Sequence, residues 1–181
     1  MKTKQKGEGF SLIEALVVLA LLAVLLGLAV PGMGGLRARH QLQAVAEDLW
    51  NSLMLARSQA MAQQARVVLC PAASAQTCDA QGQWGRGWLV FVDSNRNGLR
   101  DAEEAVLQSR GALPLGVLLQ GNSTVRLGMG YGADGRSEGR SGGFQSGTYT
   151  VCNPGVGDQW KVVINMLGRP RLEKSEATQC P

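Results

Sequence analysis

Apolar residues follow two different rhythms along the first third of this chain. From Phe10 to Val30 they run almost without interruption, 21 residues or about 31 Å at the helical rise, which matches a bilayer's hydrocarbon core. The pattern predicts a membrane-spanning helix with Glu14 as its single charge. Lys2, Lys4 and Lys6 precede it, so the first residues are expected to stay in the cytoplasm while the rest is carried outward. Beyond Pro31 and Gly32, Gly34 and Gly35 the pattern becomes periodic. Leu42, Val45, Ala46, Leu49, Leu53, Ala56 and Ala60 recur at three- and four-residue steps, predicting an amphipathic helix to about Gln64. Pro31 removes an internal hydrogen bond and the glycines lower helix propensity, so a kink or local melting is expected between the two halves.

From Ala65 onward the texture changes to strands. Arg66 to Cys70, Gly87 to Val92, Glu104 to Ser109, Val117 to Leu119, Thr124 to Leu127, Thr148 to Cys152 and Trp160 to Asn165 are short and separated by turn residues. Such strands suit an antiparallel sheet packed on the soluble half of the helix. Between Gly128 and Gly147 there are eight glycines in twenty residues, with Arg136 and Arg140 among them. This stretch reads as a mobile basic loop able to touch phosphate.

Glu14 needs a reason, because a carboxylate near a bilayer costs a few kcal/mol unless it is paired or kept at the interface. Val30-Pro31-Gly32-Met33 offers no small-x-small site of the kind a secretory signal carries after its apolar region. The small residue at the junction of basic leader and apolar run is Gly9. Cleavage there gives Phe10 a free amine one helical turn from Glu14. Gly9-Phe10-Ser11-Leu12-Ile13-Glu14, followed by the apolar run and Pro31, resembles the prepilin signal of type IV pilins and type II secretion pseudopilins. The resemblance implies cleavage after Gly9 by a prepilin peptidase, N-methylation of Phe10, and pairing of Glu14 with the amine of a neighbouring subunit during filament assembly.

One long helix followed by strands, the Cys70 to Cys78 loop, Trp84 to Val92 with its Asp93 turn, and the Gly168 to Cys180 ending together resemble the GspH/FimT family of minor pilins and pseudopilins. The implied fold is α+β, type IV pilin-like: a long N-terminal helix, transmembrane then amphipathic, packed against an antiparallel β-sheet head. The corresponding segments are a leader at 1–9, a transmembrane and assembly helix at 10–31, an amphipathic half at 32–65 and a head at 66–181. Other pilins or pseudopilins, the prepilin peptidase and the inner membrane are the implied partners. The implied location is single-pass in the inner membrane with a periplasmic head, then a pilus or pseudopilus at the cell surface.

The net charge of +4 changes this picture little. The first nine residues hold three lysines and one glutamate, leaving 15 basic and 13 acidic side chains, so only local clusters inform about partners. Cys70, Cys78, Cys152 and Cys180 suit an oxidising compartment. Three pairings are possible. Order along the chain favours Cys70 with Cys78 and Cys152 with Cys180, worth roughly 2.6 and 3.6 kcal/mol in the chain-entropy model. A zinc site is disfavoured, because no C-x-x-C occurs and the single histidine, His40, lies far away. The lone histidine and oxidised cysteines also leave no Ser-His or Cys-His couple, so no catalytic residues and no cofactor are expected.

Two segments carry candidate binding chemistry. The first, Asp93 to Glu104, matches the EF-hand loop template, with Asp93, Asn95, Asn97, Asp101 and Glu104 at ligand positions and Gly98 at the sharp turn. Its flanks read as strands and Arg96 and Arg100 intervene, so a plain hairpin loop remains the competing reading. The second is the tail Gly168-Arg169-Pro170-Arg171-Leu172-Glu173-Lys174. Arg169 and Arg171 are spaced to contact phosphates, with Lys161 and Lys174 able to extend the patch, while Arg136 and Arg140 are separate DNA-binding candidates in the glycine-rich loop. Its G-R-x-R resembles the DNA-binding motif of FimT-type minor pilins, which implies DNA uptake during natural transformation. The alternative is a type II secretion pseudopilin acting only in assembly.

Overall fold

The computed structural model describes residues 11–29, 33–176 and 180, and forms two compact units, residues 1–37 and 38–181. Helix α1, Leu12–Ala29, lies in the first unit. Every side chain from Ser11 to Leu25 on it is exposed, Glu14 included. Among the described residues no helix is long and apolar enough to cross a membrane. Phe10 and Val30, which complete the 21-residue apolar run, lie outside the described residues, as do the expected cleavage site at Gly9 and the helix breakers Pro31 and Gly32. Gly34 and Gly35 fall inside helix α2, Met33–Gln63.

The second unit takes its core from the periodic face of α2. Leu42, Val45, Ala46, Leu49, Leu53, Ala56 and Ala60 are all buried in one cluster. The helix ends where Gln64 takes a left-handed φ of 51° and Ala65 N–H bonds back to the Ala60 carbonyl at 3.2 Å.

Among the described residues nine strands follow, in two antiparallel sheets. The first sheet is ordered β3-β2-β1-β5-β6, from β1 Val67–Pro71, β2 Trp88–Val92, β3 Val106–Arg110, β5 Met129–Tyr131 and β6 Ser137–Glu138. The second is ordered β4-β7-β8-β9, from β4 Leu118–Gly121, β7 Gly147–Cys152, β8 Asp158–Ile164 and β9 Pro170–Glu176. The β1 and β2 sequences are apolar without alternation because both faces are covered. Val67, Leu69, Trp88 and Val90 join the helix-side core. Val68, Cys70, Leu89 and Phe91 form a second cluster with Cys78 on the other face.

Three sequence expectations are corrected here. Thr124 to Leu127 is a turn rather than a strand. The glycine-rich stretch 128–147 is not one loop, since β5 and β6 pair within it. Its glycines serve close approach: Gly128 has φ 107°, and a Cβ on it would press into the β1 backbone at Leu69 and Cys70. The third correction is the tail, which is not a loop beyond the last strand but β9 itself, paired along β8 from Ile164↔Pro170 to Asp158↔Glu176.

The cysteines join in chain order, Cys70 to Cys78 and Cys152 to Cys180. The second bond ties Cys180, beyond the end of β9, to Cys152 at the end of β7.

Polar anchors tie the helix to both sheets. Trp88 Nε1 donates to Ser52 Oγ at 2.9 Å, Trp50 Nε1 to the Pro170 carbonyl at 3.0 Å, and Arg57 Nε to the Gly135 carbonyl at 2.8 Å. Two tyrosines are buried without such anchors, since among the described residues the Tyr131 and Tyr149 hydroxyls have no hydrogen-bond partner. Burial pushes both phenols well above their usual value, opposed at Tyr131 by Arg57 and reinforced at Tyr149 by Tyr131. In the unfolded chain these tyrosines ionise near pH 10, while in the fold they stay neutral to higher pH. The stability tied to their neutral form is therefore complete below about pH 10 and is lost as pH rises toward the folded values. The melting temperature should fall above about pH 10. Tyr149→Phe should flatten that fall and change stability at neutral pH by less than about 1 kcal/mol, as scanning calorimetry can show.

Candidate nucleic-acid interface

Side-chain alternation on β8 and β9 decides which basic residues meet. Val162, Ile164 and Leu172 turn toward the helix-side core, so Lys161, Arg171 and Glu173 stand on the outer face of the four-stranded sheet. Lys161 pairs in register with Glu173, and Arg171 with Val163. Arg169 precedes β9 in the turn after β8, exposed, with its N–H held by Asn165 Oδ1 at 3.3 Å. Among the described residues no acidic group pairs with its guanidinium. Gly168, at φ 75°, makes the turn possible; a Cβ there would lie 3.0 Å from the Tyr131 ring and strike the Gly135 carbonyl. Pro170 is buried, so the backbone between the two arginines is fixed from below.

Arg171 Nε lies 2.6 Å from Glu173 Oε1, with both side chains largely exposed. Water and salt screen such a pair, so it holds the guanidinium only weakly. Beside it a groove of about 750 Å³ runs over the same outer face, lined by Lys161, Arg126, Thr148, Thr150, Gln120 and Asn122. The lining is cationic and hydroxyl- or amide-rich, which suits phosphate and sugar oxygens. Arg126 was invisible as a site residue in the sequence, where its surroundings read as a strand.

The remaining basic residues separate. Lys174 turns to the helix side, its Nζ 3.2 Å from Asp158, which also receives Arg39 at 3.3 Å. Arg140 packs its stem against Gly98, whose Cβ would lie 3.0 Å from Arg140 Cγ. Neither belongs to the outer face. Arg136 lies beside the 165–168 turn, over the Phe144 ring at 5.4 Å, and shares a 150 Å³ hollow with Phe144, Met166 and Leu167. These three apolar side chains are exposed. Phe144 sits within the glycine-rich stretch, where nothing in the local pattern marks it.

The Asp93 to Glu104 segment connects β2 to β3, as its strand-like flanks suggest. At its base Arg66, 1% exposed, lies 3.1 Å from the fully buried Asp93 carboxylate and 3.6 Å from Glu138, and donates to the Gly139 carbonyl at 2.7 Å. Gly130 has no side chain to displace this guanidinium. Arg96 is drawn off to Glu138 at 3.1 Å, and Arg100 to the carbonyls of Ala102 and Glu104 at 3.3 and 3.1 Å. Among the described residues no three His, Cys, Asp or Glu side chains converge as a metal-holding group.

The model for type II transport protein GspH matches residues 45–168 of this chain, most of its length and nearly the whole head. The chain belongs to the GspH family. The prokaryotic N-terminal methylation motif matches residues 4–30 of this family member. Crystal structures of the type IV minor pilin FimU of Pseudomonas aeruginosa in two space groups are similar in fold, at TM-scores of 0.55 and 0.52 and 20% identity in each. They cover 79% and 77% of this chain and 94% and 97% of theirs. The minor pseudopilin EpsH from the Type 2 Secretion System of Vibrio cholerae aligns at TM-score 0.49 and 12% identity, over 77% of this chain and 99% of its own. No curated protein matches the chain. The GspH-family head therefore shares the α+β fold of the FimU minor-pilin structures.

Proposed function

We propose that this chain is a non-catalytic minor pilin that assembles into a type IV pilus and binds DNA without sequence preference through the outer face of its second sheet. After cleavage following Gly9 and methylation of Phe10, the apolar run from Phe10 to Val30 anchors it in the inner membrane with the head in the periplasm. Glu14 then pairs with a neighbouring subunit's amine as the helix enters the filament. The methylation motif over residues 4–30 and the uncovered apolar surface of α1 support this part of the reading, because such a surface needs lipid or neighbouring helices around it.

The observation that supports DNA binding is the shared outer face of Arg171 and Lys161 beside a cationic groove, with exposed Arg169 in the turn that leads into the edge strand. Preset cations lose little entropy on meeting a polyanion and release counterions from it, so affinity falls steeply with salt. The Arg169→Ala, Arg171→Ala double variant should bind duplex DNA more weakly at every sequence and reduce the slope of log affinity against log salt by about two. Lys174→Ala, on the helix side, should bind within about twofold of wild type, since it removes no phosphate contact. Fluorescence anisotropy across a salt series reads both; an unchanged double variant would remove the proposal. A pure assembly role in a type II secretion pseudopilus is the second reading, favoured by the description of the matched family as a type II transport protein.

A further inference from the structure

Phe144, Met166 and Leu167 are left 64%, 60% and 57% exposed, and they meet around one hollow of about 150 Å³ that Arg136 completes. Apolar residues scattered singly over a surface need no explanation, but three that share a hollow do. The backbone on both sides of it is held. On one side Phe144 bridges to Glu138, the Gly139 N–H donates to the Gly143 carbonyl at 2.8 Å, and the Gln145 N–H to the Ser137 carbonyl at 3.2 Å. On the other, Asn165 Oδ1 accepts the N–H groups of Leu167 at 3.1 Å and Arg169 at 3.3 Å, closing the turn that carries Met166 and Leu167. Ser137 Oγ joins the two sides by donating to the Asn165 carbonyl at 3.0 Å.

Charge around the hollow says what kind of group fits it. The Arg136 guanidinium lies 5.4 Å from the centre of the Phe144 ring, held there by the electron-rich aromatic face. Asp134 lies 3.5 Å from Arg136, but both side chains are more than half exposed, so water and salt screen the pair. Glu138, opposite Phe144, is already engaged by Arg66 and Arg96. Arg169 stands on the same Asn165-bound turn as Leu167, and among the described residues no acidic group meets its guanidinium. An exposed ring in cationic surroundings suits a flat apolar group carried on a polyanion. A nucleic-acid strand is such a partner. In a duplex the bases cover one another, so only an unpaired base offers its face to a ring.

We propose that Phe144 is a stacking platform for an unpaired base of single-stranded DNA, with Arg136 and Arg169 taking the flanking phosphates. The inference rests on the DNA-binding reading of the neighbouring arginines and deepens it. Those cations hold any DNA backbone, whereas the platform adds affinity only for a strand whose bases are free. Met166 and Leu167 wall the hollow with apolar surface and keep water from the stacked base. Because every base has an aromatic face, the platform favours the single strand without adding sequence preference.

The test uses the full-length chain in detergent micelles and fluorescence anisotropy with three probes of equal length. These are a mixed-sequence single strand, a single strand of abasic sites with the same backbone, and a duplex. Wild type should hold the base-bearing strand about tenfold tighter than the abasic one. Phe144→Ala should lose that preference and bind the duplex within about twofold of wild type. Its slope of log affinity against log salt should match wild type, because no phosphate contact is removed. Phe144→Leu, apolar but without a ring, should behave like the alanine variant, and Phe144→Trp should keep the preference. The residue is exposed, so all three variants should melt like wild type. If wild type binds the duplex but holds the two single strands equally, the platform is overturned while the DNA-binding reading stands. A base preference that survives in Phe144→Ala overturns it as well; if that variant also fails to enter filaments, a neighbouring subunit occupies the patch. Absence of binding to every probe removes both readings.

Discussion

Replacing Arg66 with alanine should remove about 3–5 kcal/mol of head stability, a third or more of what a domain of this size possesses. The Asp93 carboxylate is wholly buried, and among the described residues Arg66, at 3.1 Å, is its one paired cation. Truncation leaves that charge uncompensated and strips the carbonyls of Arg96 and Gly139 of their donors at 3.0 and 2.7 Å. Glu138 loses one of its two arginines as well. Because breaking a buried pair is far worse than replacing it, Arg66→Met combined with Asp93→Leu should recover much of the loss. Urea unfolding checks this; a loss under about 1 kcal/mol for Arg66→Ala would show that water reaches the cluster.

The second large effect lies at the other end of the chain. On the proposed prepilin processing, Gly9→Val should leave the chain as an uncleaved precursor, because a branched side chain would replace the small residue at the junction before Phe10. Without cleavage Phe10 has no free amine to methylate and Glu14 loses the cation it is proposed to meet. Incorporation into filaments should then fall to background. Intact-mass spectrometry distinguishes precursor from mature chain, and wild-type processing of Gly9→Val would contradict the prepilin reading of residues 4–30.

The two effects differ in how they can be read from the residues. Gly9, Phe10 and Glu14 are a contiguous pattern, and their chemistry follows from adjacency. Arg66 looked like the first residue of a strand, and nothing in its neighbours marks it as the centre of an ion cluster. Its partners Asp93 and Glu138 are 27 and 72 residues away and meet it only through the pairing of β1 with β2 and β5.

The basic residues show the same division. Arg169 and Arg171 were legible as a pair, but whether Lys161, Lys174, Arg136 or Arg140 joins them depends on the register of β9 against β8 and on the fold of the glycine-rich stretch. Lys174, read as an extension of the tail patch, is held by Asp158, and Arg140, read as a phosphate contact of the glycine-rich stretch, lies against Gly98. Arg126 was not expected there and lines the groove.

By itself the sequence determined what depends on local spacing: the buried face of α2, the apolar strands β1 and β2, the prepilin-like junction and the twelve-residue loop template. Periodicity and short motifs act within a few turns of chain, so they survive reading in one dimension. Only the tertiary structure decided that the tail is an edge strand, that there are two sheets, and which cations share a face. Those follow from strand register, where a shift of one residue turns every side chain to the opposite face, and register is set by contacts between distant parts of the chain.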